Sequence, residues 1–210
     1  MTSNFSYFNA PIRNVIPCGA LTVDKVHRMI VSDDHLRQVT LMGRNLQGDD
    51  FRRYKSQWFP YVTPCGEFRR RRADELCRLS GLVVVDIDHL ESLEEAERLR
   101  DRLFDDPWLR PELTFVSPSG RGVKAFVNYV VGRPATDGLV SEDRWDQEGF
   151  QPTEEHVRLL SATIVDTMRY VDLVYGSTTA SKTRKDVDFS GRDVSRACFL
   201  SHDEGAKLRQ

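Results

Sequence analysis

The apolar positions change period along this chain, and the changes mark its elements. Gly81-Leu-Val-Val-Val-Asp-Ile-Asp-His-Leu90 is an apolar run broken only by acids, and it reads as a buried strand. A period of two places Asp86 and Asp88 on one face at the end of that strand. Leu113–Val116 and Gly122–Val130 read as two further strands. Between these runs the spacing turns helical. Leu93, Ala96, Leu99 and Leu103 form a stripe behind a capping box, Ser92-Leu-Glu-Glu95, and Pro107 ends it. Thr153 caps a second helix running to about Tyr175, with Val157, Leu160, Ile164, Met168 and Val171 as its buried stripe. Residues 131–152 carry glycines, prolines and charges without a period and read as a long loop, and Gly176–Lys185 as a polar connection.

The flanks are less regular. Phe5, Tyr7, Phe8 and Pro11 suggest an extended arm or at most an edge strand. Thr22–Met29 reads as a short helix, His35–Met42 as helix or strand, and Asp49–Trp58 as a helix. Tyr61–Gly66 is a strand entering a turn, while Val187-Asp188 and Ala197–Leu200 are strand pieces. The order strand, helix, two strands, helix, strand predicts an α+β fold. Its expected core is an antiparallel sheet of ferredoxin-like or RNA-recognition-motif (RRM-like) type with packed helices.

Composition narrows the class. A chain of 210 residues with 40% hydrophobic content can build a sizeable core. The net charge of −2 announces no global field for nucleic acid, so the distribution of the 30 lysines and arginines carries the information. Cys18, Cys65, Cys77 and Cys198 lie far apart with no CxxC pair, against a structural zinc site. No signal-like segment and no apolar run near ~20 residues is present, so the expectation is a soluble, reduced, cytoplasmic protein without a membrane partner.

Three stretches carry candidate chemistry. Asp86 and Asp88 are costly at the mouth of a core strand unless paired, and a divalent cation with its preference for oxygen is one partner; a helix cap or arginine pairing is the other reading. Ser119-Gly-Arg-Gly-Val-Lys124 combines two glycines, which allow close backbone approach, with Arg121 and Lys124, which suit a triphosphate. It is neither a Walker nor a Rossmann motif, and a plain β-turn is the other reading. Asp188 through Arg196 to His202 adds an acid, an arginine and a histidine at close spacing, or else a polar loop before a strand. Two basic stretches, Arg52, Arg53 and Lys55 beside Tyr54 and Trp58, and Arg69, Arg70, Arg71 and Arg72, are candidates for phosphate contact or for ordinary solvated surface.

The order of the three stretches resembles the archaeo-eukaryotic primase superfamily, the primase-polymerases. Val85-Asp86-Ile-Asp88 matches its acidic-pair strand, Ser119–Lys124 its Ser-Gly-x-Gly-x-His hairpin, and Val187-Asp188 its third motif. The closest likeness is to primase-like N-terminal domains of mobile-element and virulence-associated proteins. It is carried by Ser80–Asp88, Ser117–Lys124 and Asp188–Ser201, with Thr63–Phe68 as the preceding turn. The resemblance implies an N-terminal extension (1–78), a catalytic core (79–204) and a tail (205–210). It implies that Asp86, Asp88 and Asp188 hold two Mg²⁺ or Mn²⁺ ions. It assigns Ser117, Ser119, Gly120, Arg121, Gly122, Lys124, Arg196 and His202 to a nucleoside triphosphate. The activity implied is template-directed nucleotidyl transfer on single-stranded DNA, with a helicase or other replication module as a possible partner. One position departs from the pattern: Lys124 stands where the hairpin histidine is usual. A lysine can hold a phosphate as a point charge but cannot act as an imidazole. A nucleotide- or DNA-binding module without catalysis, a metal-dependent nuclease and a purely structural protein remain the rival readings.

Overall fold

The computed structural model describes residues 4–128, 152–176 and 193–209. Among these residues the fold is α+β, with two four-stranded sheets and a small hairpin, every pairing antiparallel. The first sheet has the order β2-β1-β3-β9, from β1 (Asn4–Phe8), β2 (Gly19–Thr22), β3 (Tyr61–Thr63) and β9 (Cys198–Phe199). The second has the order β10-β7-β8-β6, from β6 (Leu82–Ile87), β7 (Leu113–Val116), β8 (Val123–Asn128) and β10 (Lys207–Leu208). The hairpin joins β4 (Gly66–Phe68) to β5 (Leu76–Leu79). The helices are α1 (Val23–Ser32), α2 (Asp34–Arg44), α3 (Gly48–Trp58), α4 (Leu93–Phe104) and α5 (Glu154–Tyr175).

Strands β6 and β7 both run antiparallel to β8 between them, so they are parallel to each other and joined through α4. This is a split βαβ unit, and the elements from β6 to α5 follow the predicted order. The last strand of that pattern, expected at Val187-Asp188, lies outside the described residues, as do the loop 131–152 and the connection after Gly176.

The second sheet is buried on both faces, which explains the unbroken apolar run of β6. Val83, Val85 and Ile87 face Ala96, Leu99 and Leu103 of α4 and Leu160, Ile164, Met168 and Val171 of α5. Leu82 and Val84 face the opposite way, with Phe115 and Phe126, toward Phe5, Val62, Val26, Ile30 and Leu36. Any polar group on that second face therefore sits between two sheets, where it needs a partner.

The helix starts follow their caps. Ser92 Oγ accepts the Glu95 N–H at 3.2 Å, but the Glu95 carboxylate reaches the Glu91 N–H at 2.7 Å, one residue before the cap. Thr153 forms a reciprocal box with His156 instead of an acid. In α4 the buried stripe includes Arg100, and Leu93 is largely exposed.

Two short segments depart from expectation. The predicted arm around Phe5 is an interior strand, β1, because its aromatics find buried partners: Phe8 stacks on Tyr61 at 4.6 Å and Phe5 meets the edge of Phe126 at 5.7 Å. The expected tail contains β10, paired with β7 through Lys207↔Thr114 and Leu208↔Leu113. Strand β9 from late in the chain pairs with β3, so the expected extension and core share a sheet.

Candidate functional site

The site grows from the end of β6. Asp86 points to the face opposite α4 and α5 because it alternates with Val85 and Ile87. Its cross-strand partner on β8 is Lys124, and the two side chains form an ion pair, 13% and 8% exposed respectively. Burial opposes the charge on Lys124, yet Asp86, with Asp88 beyond it, holds the ammonium above the usual lysine range. Only one Asp86 oxygen is used in this way: Oδ1 is buried and has no hydrogen-bond partner among the described residues. Asp88 lies just past the strand. Burial, then the charge of Asp86, raises its carboxyl above the ordinary aspartate value, while Lys124 and Lys55 work in the other direction.

The glycine hairpin closes over this end. Gly120 N–H donates to Ser117 O at 2.9 Å, and Ser117 N–H donates to Gly122 O at 2.8 Å. The two serine hydroxyls are 3.1 Å apart, and Ser119 Oγ accepts the Arg121 N–H at 3.2 Å. Gly122 permits the approach: a Cβ there would lie 2.6 Å from Ile87 O, 2.8 Å from Asp88 Oδ1 and 2.9 Å from Ser117 Oγ. Asp88 and Ser117 thus meet across a bare α-carbon. Arg121 has a fastening role, its Nε donating to Leu90 O at 2.8 Å while Leu90 N–H returns a bond to Arg121 O at 3.0 Å. The loop after Asp88 is thereby tied to the hairpin.

More groups arrive from distant parts of the chain. Lys55, expected on a template-binding surface, instead lies between Phe51 and Phe199, its Nζ 5.7 and 5.3 Å from their ring centres. Burial and then Lys124 lower its pKa, and Asp88 and Asp86 oppose them, so its ammonium is within electrostatic reach of the acidic pair. Arg196 belongs to the same group, since its charge acts on Lys55 and on Cys198. The Cys198 thiol is pushed up to about 12, chiefly by burial, and so is inert as a nucleophile. His202 is buried beside the hairpin. Its N–H donates to Thr40 Oγ1 at 2.9 Å, its Nε2 is 3.5 Å from Glu204, and its Nδ1 is buried without a partner. Ser201 Oγ donates to Val116 O at 2.7 Å. Asp188 lies outside the described residues, among which no cluster of three metal-ligating side chains occurs.

A family model described as BT4734-like, N-terminal domain, matches residues 53–206. The chain belongs to the BT4734-like N-terminal domain family. No curated protein and no solved structure matches the chain. The match to the BT4734-like domain takes in Lys55, Asp86, Asp88, the hairpin, Lys124, Arg196 and His202, and it leaves out α1 and α2.

In this BT4734-like domain the remaining basic candidates are mostly neutralised locally. Arg52 and Arg53 are exposed and pair with Asp49 at 2.9 Å and Asp50 at 2.6 Å. Arg69 pairs with Glu75 at 3.2 Å and Arg72 with Asp74 at 2.5 Å, at the tip of the β4–β5 hairpin. Arg70 is exposed beside them, and Arg71 lies over the Tyr61 ring at 5.3 Å.

The sequence reading missed Arg44 at the end of α2. Its Nη2 donates to Ser117 O at 3.5 Å and His202 O at 3.4 Å, and its Nε is buried without a partner. A local signal existed. Arg52 and Arg53 have acids three residues before them, whereas Arg44 has Thr40, Leu41, Gln47 and Gly48 at helical neighbour positions and so had to find its partners elsewhere. No helix among the described residues is long and apolar enough to cross a membrane.

Proposed function

We propose that this BT4734-like domain is a primase-polymerase-like nucleotidyltransferase that joins nucleoside triphosphates on a single-stranded DNA template. The observation that carries the reading is the meeting of an acidic pair and a glycine hairpin across Gly122, with Lys124 between them. The chemistry of the donors fits a hard divalent cation: Asp86 keeps an unused buried oxygen, and Asp88 is a carboxylate whose charge burial and Asp86 disfavour. Asp86 and Asp88 would hold Mg²⁺ or Mn²⁺, with Asp188 as the third ligand expected from the sequence. When bound, the metal supplies charge neutralisation and activates a hydroxyl for attack on the α-phosphorus.

The chain's own residues do the positioning. The hairpin amides and the Ser117 and Ser119 hydroxyls would receive phosphate oxygens. Lys124 would exchange Asp86 for a phosphate once the carboxylate is neutralised. Lys55 and Arg196 would face the charge that develops on the leaving pyrophosphate. Trp58 and Tyr54, with the exposed arginines Arg52, Arg53, Arg69, Arg70 and Arg72, offer stacking and phosphate contacts to a template strand; a helicase or other replication module would be a partner suited to such an activity.

The test uses Asp88→Asn, which leaves the Asp86–Lys124 pair intact. Labelled nucleotide incorporation on a DNA template with Mn²⁺ should be lost while the fold, followed by circular dichroism, is retained. Incorporation at the wild-type rate would end the reading. A second reading, a nucleotide-binding module without catalysis, draws on Lys124 already neutralising Asp86. Nucleotide binding with no extension by the wild type would favour it.

A further inference from the structure

Arg44 is half-buried and is held differently from Arg100, Arg71 and Arg209. Arg100 lies on two carboxylates, Asp203 at 2.7 Å and Asp101 at 2.8 Å. Arg71 and Arg209 lie over aromatic rings, at 5.3 and 4.7 Å. Arg44 has neither among the described residues, only two carbonyls at the long end of hydrogen-bonding distance. The acid charges acting on it are those of Asp203, already committed to Arg100, and Glu97. A guanidinium half withdrawn from water without an anion is an unfavourable arrangement for a folded protein.

The surroundings say what would relieve it. Gly120 has φ +71°, and a Cβ there would lie 3.3 Å from Arg44 Nε, so the turn is bare where the guanidinium meets it. Ser117 ties the two sides together. Its carbonyl accepts from Arg44, and its hydroxyl lies against the point where Gly122 meets Asp88. His202, whose carbonyl also accepts from Arg44, adds a buried ring nitrogen without a partner. Arg44 Nε, facing the bare turn, is thus an unused donor, and an oxyanion with several acceptor oxygens fits it.

We propose that Arg44 is a phosphate-binding residue of the hairpin site, contributed by the helical segment before the matched domain and contacting an oxygen of the triphosphate. The triphosphate assignment rests on the nucleotide reading above; the anion contact does not. Arg44 would release its two long carbonyl bonds and present its planar fork to the anion, a geometry that lysine cannot copy.

The experiment measures inorganic tripolyphosphate binding by calorimetry, with and without Mg²⁺, for the wild type, Arg44→Met and Arg44→Lys, beside thermal unfolding of each without probe. The proposal expects Arg44→Met to bind about tenfold or more weaker, Arg44→Lys to fall between, and the unliganded Arg44→Met protein to unfold at the same or a higher temperature. Affinity unchanged in Arg44→Met would overturn it. So would a wild type that does not bind the probe, or an Arg44→Met protein that unfolds earlier yet binds normally, which is the behaviour of a residue that only packs. Binding lost in Arg44→Met by a protein that incorporates no nucleotide would support the anion contact while ending the polymerase reading.

Discussion

Two buried cation–aspartate pairs touch the same sheet and are built to opposite ends. At one, Asp203 is saturated: Oδ1 accepts from Arg100 at 2.7 Å and Gly205 N–H at 3.0 Å, and Oδ2 accepts from Val116 N–H at 2.8 Å. Asp106, elsewhere in the core, is equally full, with Trp108 and Leu109 N–H groups and the Tyr170 and Tyr175 hydroxyls around it. At the other pair, Asp86 has Lys124 on one oxygen and no partner on the second, and a further acid stands beside it. A saturated carboxylate fixes geometry. One with unused acceptor capacity, crowded by a like charge, is an expensive arrangement that a cation or a proton would relieve. The difference separates acids whose acceptor capacity is filled by the fold from a pair in which it is not.

The largest effect should come from breaking the saturated pair. Asp203→Ala leaves Arg100 buried without its main counter-charge and the Val116 N–H unpaired, and urea unfolding should show a loss of about 3–5 kcal/mol. A loss below about 1 kcal/mol would mean that Asp203 is no more structural than Asp86.

Next in size is Lys124→Met, which removes the cation between two carboxylates. Stability without metal should fall by about 2–3 kcal/mol, since Asp86 then has neither partner nor screening. Mn²⁺ should recover most of this loss, and the Mn²⁺-induced rise in unfolding temperature should exceed that of the wild type, because the metal no longer competes with an ammonium. Equal metal-induced shifts in the two proteins would show that Lys124 and the cation do not share a seat. Asp88→Asn sharpens the contrast from the other side: stability unchanged or slightly higher, by up to about 1 kcal/mol, because it removes a charge that the fold disfavours.

Much of this was legible in the chain because it is local. The β6 run, the α4 and α5 stripes and the Thr153 cap are fixed by neighbours a few residues away. The resemblance grouped Asp86, Asp88 and the hairpin, and in the structure the hairpin's Gly122 lies against Asp88 while Lys124 pairs with Asp86. What escaped depends on distant partners. β1 becomes an interior strand only because Tyr61 and Phe126 receive its aromatics, and β10 is too short to show a period. Lys55 sat in a basic helix and read as surface, yet Phe199, far along the chain, supplies the second ring that draws it inward. Arg100 joins the buried face of α4 beside the expected stripe, for an acid 103 residues away. Burial of a charged side chain is a property of its partner, and the partner is not in the window being read.

The smallest effect, and the one that isolates the two kinds of acid, is their pH dependence. Burial alone would raise the Asp106 carboxyl, but the Leu109 amide, the Tyr175 hydroxyl and the Trp108 amide outweigh it and hold the value below the ordinary one. Its contribution is therefore complete above the unfolded-chain value of about 3.9 and is lost as pH falls through the lower folded value. Asp88 has the opposite sign. Burial and Asp86 raise its folded value, so the native state takes up a proton before the unfolded chain does, and acidification from neutral toward pH ~4 relieves the site. Unfolding free energies measured from pH 7 downward should show the wild type gaining on Asp88→Asn until about pH 4, after which both decline together as Asp106 is protonated. Metal binding should weaken over the same upper interval, since the cation needs the Asp88 carboxylate that the fold prefers to protonate. Parallel curves for the two proteins across that interval would place Asp88 with the saturated acids and remove the contrast on which the site assignment depends.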